Sequence, residues 1–271
     1  MKSFSTLSVL AFGMMAAIFS NTALAAKSAN ANVSNFGFTL IDLDTSDDIT
    51  PALSFYNVVG SSNNSFIFDR GSDYFSGAAN RSVRQWKNYQ TSLLIDDELG
   101  KTSAGVLGDS FFAQGDLVNS SNANFNAEQH LSAGFTLTPH TKLVMFGTLF
   151  GSAINPGNGD YWYNYAKSGS EVSLGDQYDD NRSFASGQAT TQSGDNEQYY
   201  ESDFSMSYVN RGSNSIYGAL SVHTFATARD YGNLANGSIP AVPEPETYAM
   251  LLSGLALMGV LARRRASKQI V

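Results

Sequence analysis

The residues able to do chemistry are few and far apart. His130, His140 and His223 are the only imidazoles in 271 residues. His130 follows Glu128 by two positions, so an extended strand puts both side chains on one face, where they could share a metal or a proton. The plainer alternative is a solvated polar pair. Asp42, Asp44, Ser46 and Asp48 recur at every second position, so their oxygens can converge on Ca²⁺ if the chain curls. The pattern follows only the first half of an EF-hand-like loop, which wants Gly where Asp47 stands and a bidentate Glu where Leu53 stands. A plain acidic turn competes with it, so no metal site is expected, and Asp42, Asp44 and Asp48 are the candidates should Ca²⁺ bind. Asp96 with Glu98, and Asp176 with Asp179, are acid pairs of the kind that cleave glycosides, or solvated turns.

Aromatic chemistry is more concentrated. Tyr161, Trp162, Tyr163 and Tyr165 fall within five residues, directly after an Asn, Gly and Asp-rich run. Rings of this kind stack on the C–H faces of sugars while nearby Asn and Asp accept hydroxyls, which makes the four possible glycan contacts. A strand whose alternate rings fill a core gives the same pattern. Nucleophile elbows, His-Glu-x-x-His, phosphate loops and Cys/His clusters do not occur in the sequence. No catalytic or cofactor-binding residue is therefore assigned, and an enzyme is not expected.

The elements that must position these residues read as strands. Phe36, Phe38 and Leu40 alternate with polar residues, the pattern of a half-buried strand. Residues 52–59 and 65–68 read as two short strands of a hairpin, parted by the turn-rich Gly60-Ser61-Ser62-Asn63-Asn64. Residues 131–137 and 142–150 flank Thr138-Pro139-His140-Thr141, where proline breaks any helix and sets a tight connection. Residues 199–209 and 215–228 read as a long hairpin joined through Asn210–Asn214, and residues 79–97 stay open between helix and strand. With 24 Gly, 18 Phe and 13 Tyr, the pattern predicts an all-β chain: a single β-sandwich or jelly-roll-like domain.

Both ends carry address signals. Lys2 precedes an apolar stretch from Leu7 to Phe19, followed by Ala23-Leu24-Ala25, the small-x-small pattern read by signal peptidase. This predicts a signal peptide over 1–25, with cleavage after Ala25. The ectodomain is then residues 26–238 and the tail 239–271. With no cysteine, it is held by its core alone. Of 16 Lys and Arg, Lys2 leaves with the leader and four belong to the tail; of 24 Asp and Glu, Glu244 and Glu246 belong to the tail. The remaining 11 against 22 give a formal charge of −11, which argues against nucleic acid and anionic surfaces as partners.

The tail runs Val242-Pro243-Glu244-Pro245, then an apolar stretch from Tyr248 to Ala262, then Arg263-Arg264-Arg265. The prolines keep the first part extended and open to an enzyme, the apolar part can enter a bilayer as a short helix, and the arginines hold its end on the cytoplasmic side. About 15 residues at 1.5 Å each span roughly 22 Å, short of the ~30 Å hydrocarbon core, which suits transient residence better than permanent anchoring. These residues closely resemble the PEP-CTERM sorting signal, also known as an ice-binding-protein C-terminal domain. The resemblance implies a Gram-negative-like host and recognition by an exosortase, a membrane-associated cysteine transpeptidase that processes the tail near its Pro-Glu-Pro box. The block from Phe135 to Leu143 resembles one met in the ectodomains of such proteins. Ice binding itself would want repeated Thr-x-Thr rows, which are missing.

Taken together, these features predict an exported protein of structural or adhesive type. It crosses the inner membrane, is held there transiently, and reaches the cell surface or extracellular matrix in association with exopolysaccharide or the envelope. Signal peptidase and exosortase are its processing partners. The competing reading is a secreted carbohydrate-active hydrolase or a calcium-dependent glycan-binding module.

Overall fold

The computed structural model describes residues 25–70, 73–84, 88–96, 100–118, 123–156, 164–176, 182–192 and 197–230. Residues 1–24 of the expected signal peptide, with Ala23, the aromatics Tyr161, Trp162 and Tyr163, the acids Glu98 and Asp179, and the whole tail lie outside them, whereas Ala25 opens the first strand. The strands in chain order are β1 (Ala25–Asp42), β2 (Leu53–Arg70), β3 (Asp73–Val83), β4 (Tyr89–Asp96), β5 (Gly100–Leu107), β6 (Ser110–Val118), β7 (Ala123–Leu137), β8 (Thr141–Ile154), β9 (Tyr165–Gly175), β10 (Arg182–Thr191), β11 (Glu197–Asn210) and β12 (Ile216–Asp230). No helix of the described residues is long and apolar enough to cross a membrane.

Two six-stranded sheets stack as a β-sandwich. Sheet A has the order β11-β8-β1-β6-β5-β4, sheet B the order β10-β9-β12-β7-β2-β3. Their ladders are antiparallel. The all-β, two-layer expectation holds, and the described residues form twelve strands where a jelly roll has eight. Burial along β7, β8 and β12 alternates residue by residue, the signature of strands with one face on the core. At about 3.3 Å per residue, the 15-residue β12 makes the slab roughly 50 Å long.

Two local readings are corrected. Residues 60–64 are no turn: β2 runs unbroken from Leu53 to Arg70. Ser62 and Asn64 point inward, fully buried, and find partners across the core. Ser62 Oγ lies 2.5 Å from Thr91 Oγ1, Asn64 Nδ2 donates to the Thr91 carbonyl (2.9 Å), and Asn64 Oδ1 accepts from Thr102 Oγ1 (3.1 Å). Residues 199–209 and 215–228 form no hairpin either. β11 pairs with β8 in sheet A, whereas β12 pairs with β7 and β9 in sheet B, so the Asn210–Asn214 turn crosses between layers. Asn210 makes the crossing by donating to the carbonyls of Leu137 (3.2 Å), Thr138 (2.9 Å) and Asn214 (2.8 Å). The Thr138–Thr141 connection likewise leads from sheet B to sheet A. The stretch 79–97, open between helix and strand, holds the end of β3 and the whole of β4. Its described part is strand apart from Arg84 and Asn88, and residues 85–87 and 97 lie outside the described residues.

The core is layered along its length. One apolar cluster, with Val33, Phe111, Leu131, Phe135, Leu149 and Val222 among its members, fills the half nearer the Thr138–Thr141 turn. A second, which joins small residues such as Ala29 and Ala113 to Phe66, Phe68 and Phe125, fills the other half. Between them a polar row crosses the inner face of sheet B, since Ser62 pairs with Gln129, Gln129 with Thr224 and Thr224 with Ser170. All four are buried.

Candidate functional site

The acidic turn and the histidine turn meet at one end of the sandwich. Asp42 closes β1, and successive carboxylates then fold the loop on itself. Asp42 Oδ1 accepts from the Asp44 amide (3.0 Å), Asp44 Oδ1 from the amide (3.1 Å) and hydroxyl (2.6 Å) of Ser46, and Asp47 Oδ1 from the Ile49 amide (2.9 Å). These are Asx-type turns, the reason Asp is favoured in such a run. Asp48 adopts a left-handed φ of 55°, and His140 one of 50°.

His140 brings the two segments together. Its carbonyl accepts from the Leu43 amide at 2.7 Å, and its Nδ1 bonds to Asp47 Oδ2, with Asp44 Oδ2 at 4.0 Å. Beside it, Thr138 Oγ1 accepts from the Ala52 amide (2.8 Å), and the Ala52 carbonyl accepts from the Thr138 amide (3.2 Å). The block from Phe135 to Leu143 is therefore the hub that ties the β1–β2 loop to the sandwich. The Ser46 bonds hold the Asp44 carboxyl below the usual carboxylate range, chiefly through the hydroxyl.

One ligand atom each from Asp44, Asp47 and His140 lies within 4.8 Å of the others. Of the candidates Asp42, Asp44 and Asp48, the structure brings only Asp44 into this group. Asp47 takes the place that the alternating pattern assigned to its neighbours. Two carboxylates and an imidazole are a poor set for Ca²⁺, which takes six to eight oxygens. They suit a borderline transition ion better, yet Nδ1 cannot donate to Asp47 and ligate a metal at once. The geometry as it stands is a charge-assisted latch between two turns. The pairing joins residues 93 positions apart, so no local pattern could have announced it.

The other candidates separate. Tyr165 opens β9 at the opposite end of the slab. Asp96 ends β4 and Asp176 comes directly after β9, each with its sequence partner outside the described residues. His130 and His223, by contrast, are direct register partners on the outer face of sheet B, which the sequence did not suggest.

That opposite end is also where the domain begins and ends. Lys27, near the start of β1, is buried and lies 3.2 Å from Asp230 Oδ1, at the end of β12, while donating to the Arg229 carbonyl at 3.2 Å. Burial pushes the Lys27 ammonium pKa down, and Asp230 pulls it back up. Past Asp230 the chain leads to the tail, where residues 241–265 match the PEP-CTERM protein-sorting motif family. The chain carries a PEP-CTERM sorting motif. Val242, Pro243, Glu244, Pro245 and Arg263–Arg265 all fall inside the match, and the β domain falls wholly outside it. No curated protein matches the chain significantly. The motif names the handling of the PEP-CTERM tail and leaves the chemistry of the sandwich to its own residues.

Proposed function

We propose that this chain is a non-enzymatic surface protein of structural or adhesive type, exported, sorted through its tail by an exosortase, and held in the extracellular polysaccharide or envelope. The observation that carries the reading is the PEP-CTERM motif at residues 241–265, which supports export and surface sorting. The sandwich is compatible with that route. Cleavage after Ala25 costs β1 only its first residue and keeps Lys27, and the Lys27–Asp230 clasp sets the new N-terminus beside the point where the chain leaves for the tail. A slab roughly 50 Å long then has Lys27 and Asp230 at one end and the His140 latch at the other. The acidic composition and the Tyr161–Tyr165 segment favour a hydrated, sugar-rich setting. Asp44 and Asp47, the carboxylates that come together, are engaged by loop amides and His140, which supports a structural role for them over glycoside cleavage.

The experiment is fractionation of the native host. Wild-type protein is expected in the surface or matrix fraction, and a variant with Pro243→Ala and Glu244→Ala in the membrane fraction. Equal distribution of the two would contradict exosortase sorting. Trp162→Ala is expected to elute earlier than wild type from a column of host exopolysaccharide; unchanged retention would remove the sugar contact from that segment.

A further inference from the structure

The outer face of sheet B sets three metal-competent side chains in one row, with their ligand atoms farther apart than those of Asp44, Asp47 and His140. His130 on β7 and His223 on β12 are register partners, and Glu171 on β9 is the register partner of His223 on its other side. Their neighbours along the three strands, Gln129, Leu131, Val222, Thr224, Ser170 and Val172, are buried. Strand alternation therefore turns His130, His223 and Glu171 outward, in one row across three strands. The two imidazole rings stand 6.1 Å apart, centre to centre.

We propose that His130, His223 and Glu171 form a binding site for a divalent transition metal ion of the Zn²⁺ class. Imidazole nitrogens select Zn²⁺, Cu²⁺ or Ni²⁺ over the oxygen-seeking Ca²⁺ and Mg²⁺. With Zn–N bonds of about 2.0–2.1 Å, two rings sharing one ion have centres roughly 5 to 6 Å apart, so a small side-chain turn closes the pair. Adjacent strands bring the Glu171 and His223 Cβ atoms to about 5 Å, within reach of a shared ion for an exposed carboxylate. Glu128, one pleat along from His130, is already engaged by Asn126 Nδ2 at 3.0 Å, and Lys167 lies over the Phe225 ring. Glu171 is thus the acid placed to turn toward the pair.

A ligating imidazole must be unprotonated, so an ion at this place competes with protons for the His130 ring. Its Nε2 lies 3.3 Å from Ser221 Oγ, a contact that a metal bond outweighs. Two imidazolium ions directly opposite each other repel, whereas one shared cation uses both lone pairs. A multivalent ion on an exposed face of an acidic surface protein would also leave open coordination positions for hydroxyl or carboxylate groups of a neighbouring polymer.

Titration calorimetry of the full chain with ZnCl₂ at pH 7.5 tests the site. One ion per chain is expected, with His130→Gln and His223→Gln each weakening affinity roughly tenfold or more. Glu171→Gln should weaken it less, and His140→Gln, at the other cluster, should leave it unchanged. Circular dichroism of the variants is expected to match the wild type because these side chains point out of the core. Undiminished Zn²⁺ affinity in both His130→Gln and His223→Gln would overturn the proposal, as would loss of binding in His140→Gln or no binding at millimolar Zn²⁺.

Discussion

The Tyr200 hydroxyl, on β11 of sheet A, donates to Ser170 Oγ on β9 of sheet B at 2.9 Å. Its ring occupies the space that a Cβ would fill at Gly151 on β8 and at Gly187 on β10, so one aromatic plate is seated against glycines of both sheets. This side chain closes the edge of the polar row where the layers meet.

Tyr200 should make stability depend on alkaline pH. Burial pushes its pKa up to about 12, above the ordinary tyrosine value near 10. A raised acid favours the protonated fold, so its contribution is complete below about pH 10 and is lost as pH rises from there through about 12. Denaturant midpoints measured at pH 9, 10 and 11 should fall more steeply for wild type than for Tyr200→Phe. Parallel profiles would rule out Tyr200 as the source. Gly151→Ala should destabilise at every pH by about 1–3 kcal/mol, because the ring must move.

Polar residues in the core are not equivalent. Thr224 Oγ1 is buried and has no hydrogen-bond partner among the described residues, whereas Asn64 satisfies Thr91 and Thr102 at once. Thr224→Val is therefore expected to be neutral or stabilising by up to about 1 kcal/mol, and Asn64→Leu to cost about 2–3 kcal/mol by stranding buried partners. Urea unfolding distinguishes them; equal losses for both would show that Thr224 has a partner after all.

The Lys27–Asp230 clasp should be an all-or-none device. Lys27→Met takes the cation from beside a buried carboxylate and is expected to cost about 3 kcal/mol. Adding Asp230→Leu should restore much of that loss. Single and double variants of equal stability would mean that the pair contributes through packing alone.

Much of this fold was legible because period-two alternation reports directly on a half-buried strand, as it does at Phe36, Phe38 and Leu40. Register and sheet membership were not legible. The Asn210–Asn214 turn looks the same whether its strands pair or part, and what decides is Asn210 reaching the Leu137 and Thr138 carbonyls 73 and 72 positions away. The Gly60–Asn64 run misled because buried Ser and Asn, satisfied across the core, have turn-like composition. At the site, Asp44 was visible as a ligand type, while its grouping with Asp47 and His140 depends on a distant contact.

The acidic turn is expected to be indifferent to calcium. Asp42, Asp44 and Asp47 already accept from loop amides, so millimolar Ca²⁺ or chelator should leave the melting temperature unchanged. A clear upward shift with Ca²⁺ that disappears in Asp44→Asn would show that the loop reorganises around the ion. Asp47→Asn, which weakens the His140 latch, should lower stability by about 1–2 kcal/mol.

The central claim, that the tail addresses the protein and is then processed, is tested most directly by intact-mass measurement of the protein recovered from its host. The expected mass corresponds to a chain starting at Ala26 and ending between Val242 and Thr247. A mass that still includes Arg263, Arg264 and Arg265 would contradict it.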